Sequence, residues 1–179
     1  MRRLTVLTVL GILAAGVNSP ARLEAQQADQ SFELALFSPL QLRGQEDAIK
    51  ILRLSLIYGS NVSVKGLDLG LVTHNSGGVS KGFQGSLVGI VEGDFVGWQS
   101  SGVSIVRGEF TGLQEGLYNE IGSGEAVQIG FINRARDVSG LQLGFVNLAE
   151  NMYGVQIGLV NVIRSKDSLV FLPIVNWKF

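Results

Sequence analysis

An eight-residue phrase, Gly-apolar-Gln-apolar-Gly-apolar-apolar-Asn, recurs along this chain at steps of 14 to 16 residues. Full copies stand at 140–147 (GLQLGFVN) and 154–161 (GVQIGLVN), and copies with one departure at 126–133 (AVQIGFIN) and 112–119 (GLQEGLYN). Looser ones begin at Gly66 (GLDLGLVT), Gly82 (GFQGSLVG) and Gly97 (GWQSSGVS), an apolar cousin begins at Ile51 (ILRLSLIY), and LVFLPIVN at 169 completes the series. A chain repeated over this much of its length folds by stacking or pairing its repeats, so the repeat is the fold. The positions predicted to carry it are Gln114, Gly116, Asn119, Gln128, Gly130, Asn133, Gln142, Gly144, Asn147, Gln156, Gly158 and Asn161.

Within a unit, Leu141, Leu143 and Phe145 alternate with Gln142, Gly144 and Val146, the period of two that defines a strand. A 3.6-residue period fits none of these words, and so much Gly penalises helix. Between units, EGDF (92–95), RGEF (107–110) and SGEA (123–126) put Gly where the first central residue of a type II′ hairpin needs positive φ. Charges gather there too: Glu92, Asp94, Arg107, Glu109, Glu125, Arg136, Asp137, Glu150, Arg164, Lys166 and Asp167. Hairpins at that spacing leave strands of about 10 to 14 residues, close to the span of tilted membrane strands.

If Glu150 and Asn151 make a two-residue loop, Ala149 faces Met152 and Phe145 faces Gln156 on one side, while Gly144 faces Ile157 on the other. Neither side is polar, whereas a sheet with one wet face alternates apolar and polar residues. Two architectures cover both faces: an antiparallel meander closed into a barrel, or a parallel β-solenoid with Gly stacked on Gly and Asn on Asn. The last strand, SLVFLPIVNWKF, places Leu169, Phe171, Pro173, Val175, Trp177 and Phe179 on one side. It resembles the closing strand of outer-membrane barrels, in which a terminal aromatic is read by the assembly machinery, and this marks Trp177 and Phe179 as an assembly signal. Pro173 argues the other way, since it removes a ladder donor and prefers an edge. With a first strand in SFELALFSPLQL (31–42), an all-β antiparallel meander of about ten strands closed as a barrel is expected, the parallel β-solenoid being the alternative.

The chain opens MRRLTVLTVLGILAAGVNSPARLEAQQ, with two arginines, an apolar run from Leu4 to Val17 and a polar stretch ending in LEA. These are the three parts of a secretory signal peptide, with Ala25 the expected last residue removed and 26–179 a single β-repeat domain. The run is shorter than the roughly 20 residues of a membrane-spanning helix, and the absence of Cys rules out a lipid-modified cysteine. With 14 basic and 15 acidic residues, no basic excess favours nucleic acid.

Catalytic chemistry finds little to work with. His74, in THNSGG, is the only histidine, so neither a His-based metal site nor a triad is expected, and a water-exposed loop histidine is the simpler reading. GLDLG is not a calcium loop. NSGGVSKG, with Gly77, Gly78 and Gly82, lacks the strand-to-helix context of a phosphate cradle and reads as a hairpin tip. Glu115 and Glu120 point to opposite faces and imply no glycosidase cleft. Gln84, Gln99, Gln114, Gln128, Gln142 and Gln156 share one template position. They could line a sugar-binding strip, but amides satisfying one another inside the sheet is the stronger expectation, because a buried amide without partners is costly.

The phrases LRLSLIYGSNVSVKGLDLGLV, GLQLGFVN, GVQIGLVN and FLPIVNWKF together resemble the bacterial surface-repeat proteins first grouped from leptospires, over roughly residues 31–179. The resemblance implies the cell surface or outer membrane and no known catalysis, and supplies no active-site residues. The expected function is therefore a non-enzymatic surface or outer-membrane protein with a structural or adhesive role. The alternative is a secreted β-solenoid binding a ligand such as glycan along its Gln and Asn ladders. No cofactor or metal is expected.

Overall fold

The computed structural model describes residues 30–37 and 49–179. The expected signal peptide lies outside them, as do residues 38–42 of the expected first strand. The described elements are all strands: β1 Gln30–Phe37, β2 Ile49–Asn61, β3 Lys65–Asn75, β4 Val79–Val91, β5 Asp94–Ile163 and β6 Phe171–Lys178. They form one sheet in chain order. β1 through β5 pair in parallel, and only β6 is antiparallel. β5 is 70 residues long because its backbone turns corner after corner without leaving the ladder.

The chain is therefore a parallel β-solenoid, and the expected antiparallel barrel of about ten strands is corrected. Like template positions stack: Gly66 on Gly82, Gly82 on Gly97, Gln84 on Gln99. The physical reason lies in the amides. A meander register would bury Gln156 opposite Phe145 and strand its polar end, whereas parallel stacking of successive coils sets each Gln against another Gln. Ala149 and Met152 do not face each other across a hairpin; both point into the interior of one coil, 2% and 4% exposed. Glu150 and Asn151 between them form an exposed corner.

The interstrand glycines have a different cause from the one expected. Neither Gly93 nor Gly108 has a left-handed φ, though Gly124 does, at 136°. A Cβ on Gly93 would lie 2.1 Å from the Gly78 carbonyl oxygen, and one on Gly108 would lie 2.5 Å from that of Gly93. Close approach of stacked coils, rather than a hairpin, demands them. NSGGVSKG is likewise a stacked corner, with Ser76 N–H bonded to Asn61 O and Gly77 N–H to Val62 O.

β6 closes the C-terminal end. Asn176 lies opposite Gln156, with Val175 opposite Ile157 and Trp177 opposite Val155. The register shifts between Gly158 and Asn161, where Pro173 can donate nothing to the ladder. Leu169 (φ 54°) and Ile174 (φ 70°) bend the strand to fit.

Candidate functional site

Numbering each unit from its first Gly, positions 3, 5, 8 and 10 point inward and positions 2, 4 and 6 outward. The interior is polar along one half. From Gln99 to Gln156 each position-3 Gln is fully buried and donates from Nε2 to Oε1 of the Gln in the preceding coil, at 2.6–2.8 Å. Several also reach across their own coil to the position-9 carbonyl, as Gln128 does to Arg134 O at 3.3 Å. The position-8 Asn ladder runs the opposite way: Asn119, Asn133 and Asn147 donate from Nδ2 to Oδ1 of the following Asn at 2.7–2.9 Å. Each also donates to a position-4 carbonyl of the following coil, namely Ile129 O, Leu143 O and Ile157 O, all at 2.9 Å. The two columns of amide dipoles therefore oppose one another.

Position 5 must be Gly to admit those Asn side chains. A Cβ on Gly144 would sit 2.5 Å from both Asn133 Nδ2 and Gly130 O; one on Gly130 or Gly158 meets the same pair of groups one coil away. Gly116 would meet Ser101 O at 2.1 Å. In the looser units hydroxyls replace this arrangement: Thr73, Ser86 and Ser101 form a chain of hydrogen bonds at 3.1 and 2.8 Å. The twelve repeat positions predicted from sequence thus fall into three neighbouring columns, Gln and Asn with Gly between them, as lattice rather than as an accessible site.

Sequence reasoning missed how the Gln column begins. Asp68 and Arg53 occupy position 3 in the first units. Gln84 donates to Asp68 Oδ2 at 2.9 Å, and Arg53 grips the same carboxylate through Nε at 2.7 Å and Nη2 at 2.5 Å. Arg53 is fully buried. The signal was present in ILRLSLIY and GLDLGLVT, where a charged residue stands in the Gln place. At the other extremes, Gln156 Oε1 and Asn119 Oδ1 are buried acceptors without a hydrogen-bond donor, which is where opposed one-way ladders must end.

His74 is not the exposed loop histidine expected. It sits in β3, half-buried, with Tyr58 OH at 3.2 Å and Ser60 Oγ at 3.4 Å from Nδ1 and Glu92 at 3.5 Å from Nε2. Arg107 holds the other oxygen of Glu92 at 2.8 Å. Ser60, His74 and Glu92 thus stand in the order of a hydrolytic triad, but Tyr58 lies nearer to Nδ1 than the serine does. Glu115 accepts from Trp98 Nε1 at 3.0 Å, while Glu120 accepts from Tyr118 and lies 3.9 Å from Arg134, so the two carboxylates serve separate groups. Burial, helped by Glu120, pushes the Tyr118 hydroxyl above its ordinary range. Asn151 and then Arg136 hold Asp137 below the carboxylate range. Among the described residues no group of three or more His, Cys, Asp or Glu could hold a metal ion.

The outer surface inverts the usual arrangement. Positions 2, 4 and 6 run as Leu67-Leu69-Leu71, Phe83-Gly85-Leu87, Trp98-Ser100-Gly102, Leu113-Glu115-Leu117, Val127-Ile129-Phe131, Leu141-Leu143-Phe145 and Val155-Ile157-Leu159. Leu117 is 72% exposed, Leu87 63% and Phe131 54%. Phe131 and Phe145 stack with ring centroids 4.8 Å apart, and Trp177 and Val175 of β6 carry the face onto the cap. Trp177 also lies under Lys166 Nζ, 5.6 Å from the ring centroid, and Phe179 meets Tyr153 edge-on at 5.5 Å. With coils about 4.8 Å apart and about 3.3 Å per residue along the strand, this face covers on the order of 600 Å². That is the upper end of what soluble monomers expose. Glu115 is its one charge.

No protein family, curated protein or solved structure matches this chain.

Proposed function

We propose that the chain is an exported, non-enzymatic β-solenoid whose outer apolar face seats on a membrane surface, giving it a structural or adhesive role at the outer membrane. The observation that carries this reading is the apolar face of positions 2, 4 and 6, with Glu115 its one charge, set on a scaffold whose interior is fixed by amides. A ligand bound along the Gln and Asn ladders would need their side chains accessible, and those are fully buried; binding therefore moves to the outside of the same coils. Lipid suits that outside better than glycan, because Glu115 and Ser100 are nearly all it offers to sugar hydroxyls. A cavity of about 310 Å³ lined by Phe145, Ile157, Leu159 and Ile174 is open and apolar, as an acyl chain requires.

Fully burying one such side chain contributes about 1.5–3 kcal/mol, so a few of them suffice for docking and for its loss. Flotation with phospholipid vesicles tests the reading. The wild type should rise with the vesicles, and a Leu117→Ser, Phe131→Ser, Phe145→Ser variant should stay behind with its circular dichroism unchanged. A wild type that remains below the lipid, or that covers the face by dimerising, sinks the proposal.

A further inference from the structure

A column of alternating charge runs up the edge beside the apolar face, one sign per coil at positions 9 and 11: Glu92, Arg107, Glu120, Arg134, Glu150, Arg164. Like charges on adjacent rungs repel, so alternation alone would be explained by register. The pairing is uneven, however. Glu92 meets Arg107 at 2.8 Å and Glu120 meets Arg134 at 3.9 Å, but among the described residues Glu150 and Arg164 touch no opposite charge, Glu150 acting on Arg134 only through space. They border instead a cavity of about 280 Å³ whose other walls include Arg134, Tyr118, Ile132 and Leu148. The Arg134 guanidinium, engaged by the Tyr118 hydroxyl and Glu120, is held firmly protonated.

The cavity thus has apolar walls and a carboxylate on the rung between two guanidiniums: Arg164 holds the same position as Glu150 one coil on, about 4.8 Å along the solenoid axis, and Arg134 stands two positions earlier in the coil before. An anion alone would meet Glu150, and a cation alone would meet the arginines. A group carrying both charges a few bonds apart satisfies each. We propose that this cavity binds a zwitterion, its ammonium on Glu150 and its phosphate on Arg164 and Arg134, the chemistry of a phosphoethanolamine headgroup. That the headgroup comes from a lipid rests on the membrane reading above. The apolar cavity of Phe145, Ile157 and Leu159 belongs to the same last coils, at positions 4 to 6.

Titration of the whole chain with soluble O-phosphoethanolamine, followed by amide chemical shifts at residues 148–150 and 164, is the direct test. Saturable binding should appear, with inorganic phosphate or ethanolamine alone at least tenfold weaker. Glu150→Gln and Arg164→Gln should each weaken it about tenfold, and the double exchange Glu150→Arg, Arg164→Glu should restore it, because a zwitterion can turn round. Phosphate binding as well as phosphoethanolamine and indifferent to Glu150→Gln would overturn the proposal, as would a charge exchange that restores nothing. Flotation with vesicles rich in phosphatidylethanolamine against phosphatidylglycerol separates the source. Preference for the former supports a lipid headgroup. Soluble binding without flotation keeps the zwitterion site and removes the membrane reading, and flotation without soluble binding does the reverse.

Discussion

The interior of the solenoid is divided lengthwise into two halves held by different forces. One half is the opposed Gln and Asn columns with Gly between them; the other is a cluster of Val91, Phe95, Val106, Phe110, Ile121, Ala126, Ala135, Val138, Ala149, Met152 and Ile163. In the apolar half identity drifts freely. The coils starting at 82 and 97, one residue longer than those that follow, carry Phe95 and Phe110, stacked 5.8 Å apart, while the shorter ones make do with Val138 and Met152. Dispersion and burial ask only that volume be filled. In the polar half each Gln amide donates to the coil before and each Asn amide to the coil after, and a change at one rung is felt by the next.

The largest effect should follow from breaking an amide column in its middle. Gln128→Met keeps the length of the side chain but leaves the Gln114 acceptor and the Gln142 donor, both bonded to Gln128, without a partner. At about 1–3 kcal/mol for each buried group left unmade, the loss is about 4 kcal/mol. Chemical denaturation measures it, and a loss under about 1 kcal/mol would show the ladder to be decorative.

Gly144→Val comes next. Its added atoms meet a carbonyl oxygen and two Asn amides rather than a yielding side chain, so it should cost at least the 1–3 kcal/mol of ordinary overpacking. It should also destabilise more than Val146→Ala, whose side chain is only half-buried on the outside. Equal stability of Gly144→Val and the wild type would undo the account of position 5. On the other side of the interior, Met152→Leu keeps volume and polarity and should cost less than about 1.5 kcal/mol; a larger loss in the same denaturation series would erase the contrast between the halves.

The period, the strands and the mutual satisfaction of the Gln side chains were legible in the sequence. The direction of pairing was harder to read, because a hairpin and a coil of equal length leave the same spacing and put Gly and charge at the same corners. The discriminating clue was the sameness of the repeated letters. An antiparallel pair sets position 6 against position 3, Phe145 against Gln156, and gives no reason for Gln to recur at one place; a parallel coil sets Gln on Gln and gives every reason. Four members of the alternating column, Glu92, Arg107, Glu150 and Arg164, were likewise present among the corner charges, whereas Glu120 and Arg134 stand two positions earlier in their coils and were not. Its order emerges only when coils stack, since the charge moves between positions 9 and 11.

The smallest effect is expected at the end of the chain. Phe179 is 73% exposed and touches the fold through its edge-on contact with Tyr153, a kind of pair worth about 0.5–1.5 kcal/mol. In a barrel its removal would cost the assembly signal and leave the chain in the periplasm. In this solenoid the cap is held by Asn176, which donates to Asn161 O at 3.3 Å and to Val170 O at 3.0 Å, and by Lys166 Nζ, which donates to Asn176 Oδ1 at 2.8 Å. None of these needs the last ring. Deleting Phe179 should therefore lower stability by no more than about 1 kcal/mol and leave the distribution between membrane and soluble fractions unchanged. Asn176→Leu, which removes the cap's polar anchor, should cost more than the deletion. Selective disappearance of the truncated chain from the outer-membrane fraction, with stability intact, would return Phe179 to a signalling role that its contacts in the fold do not require.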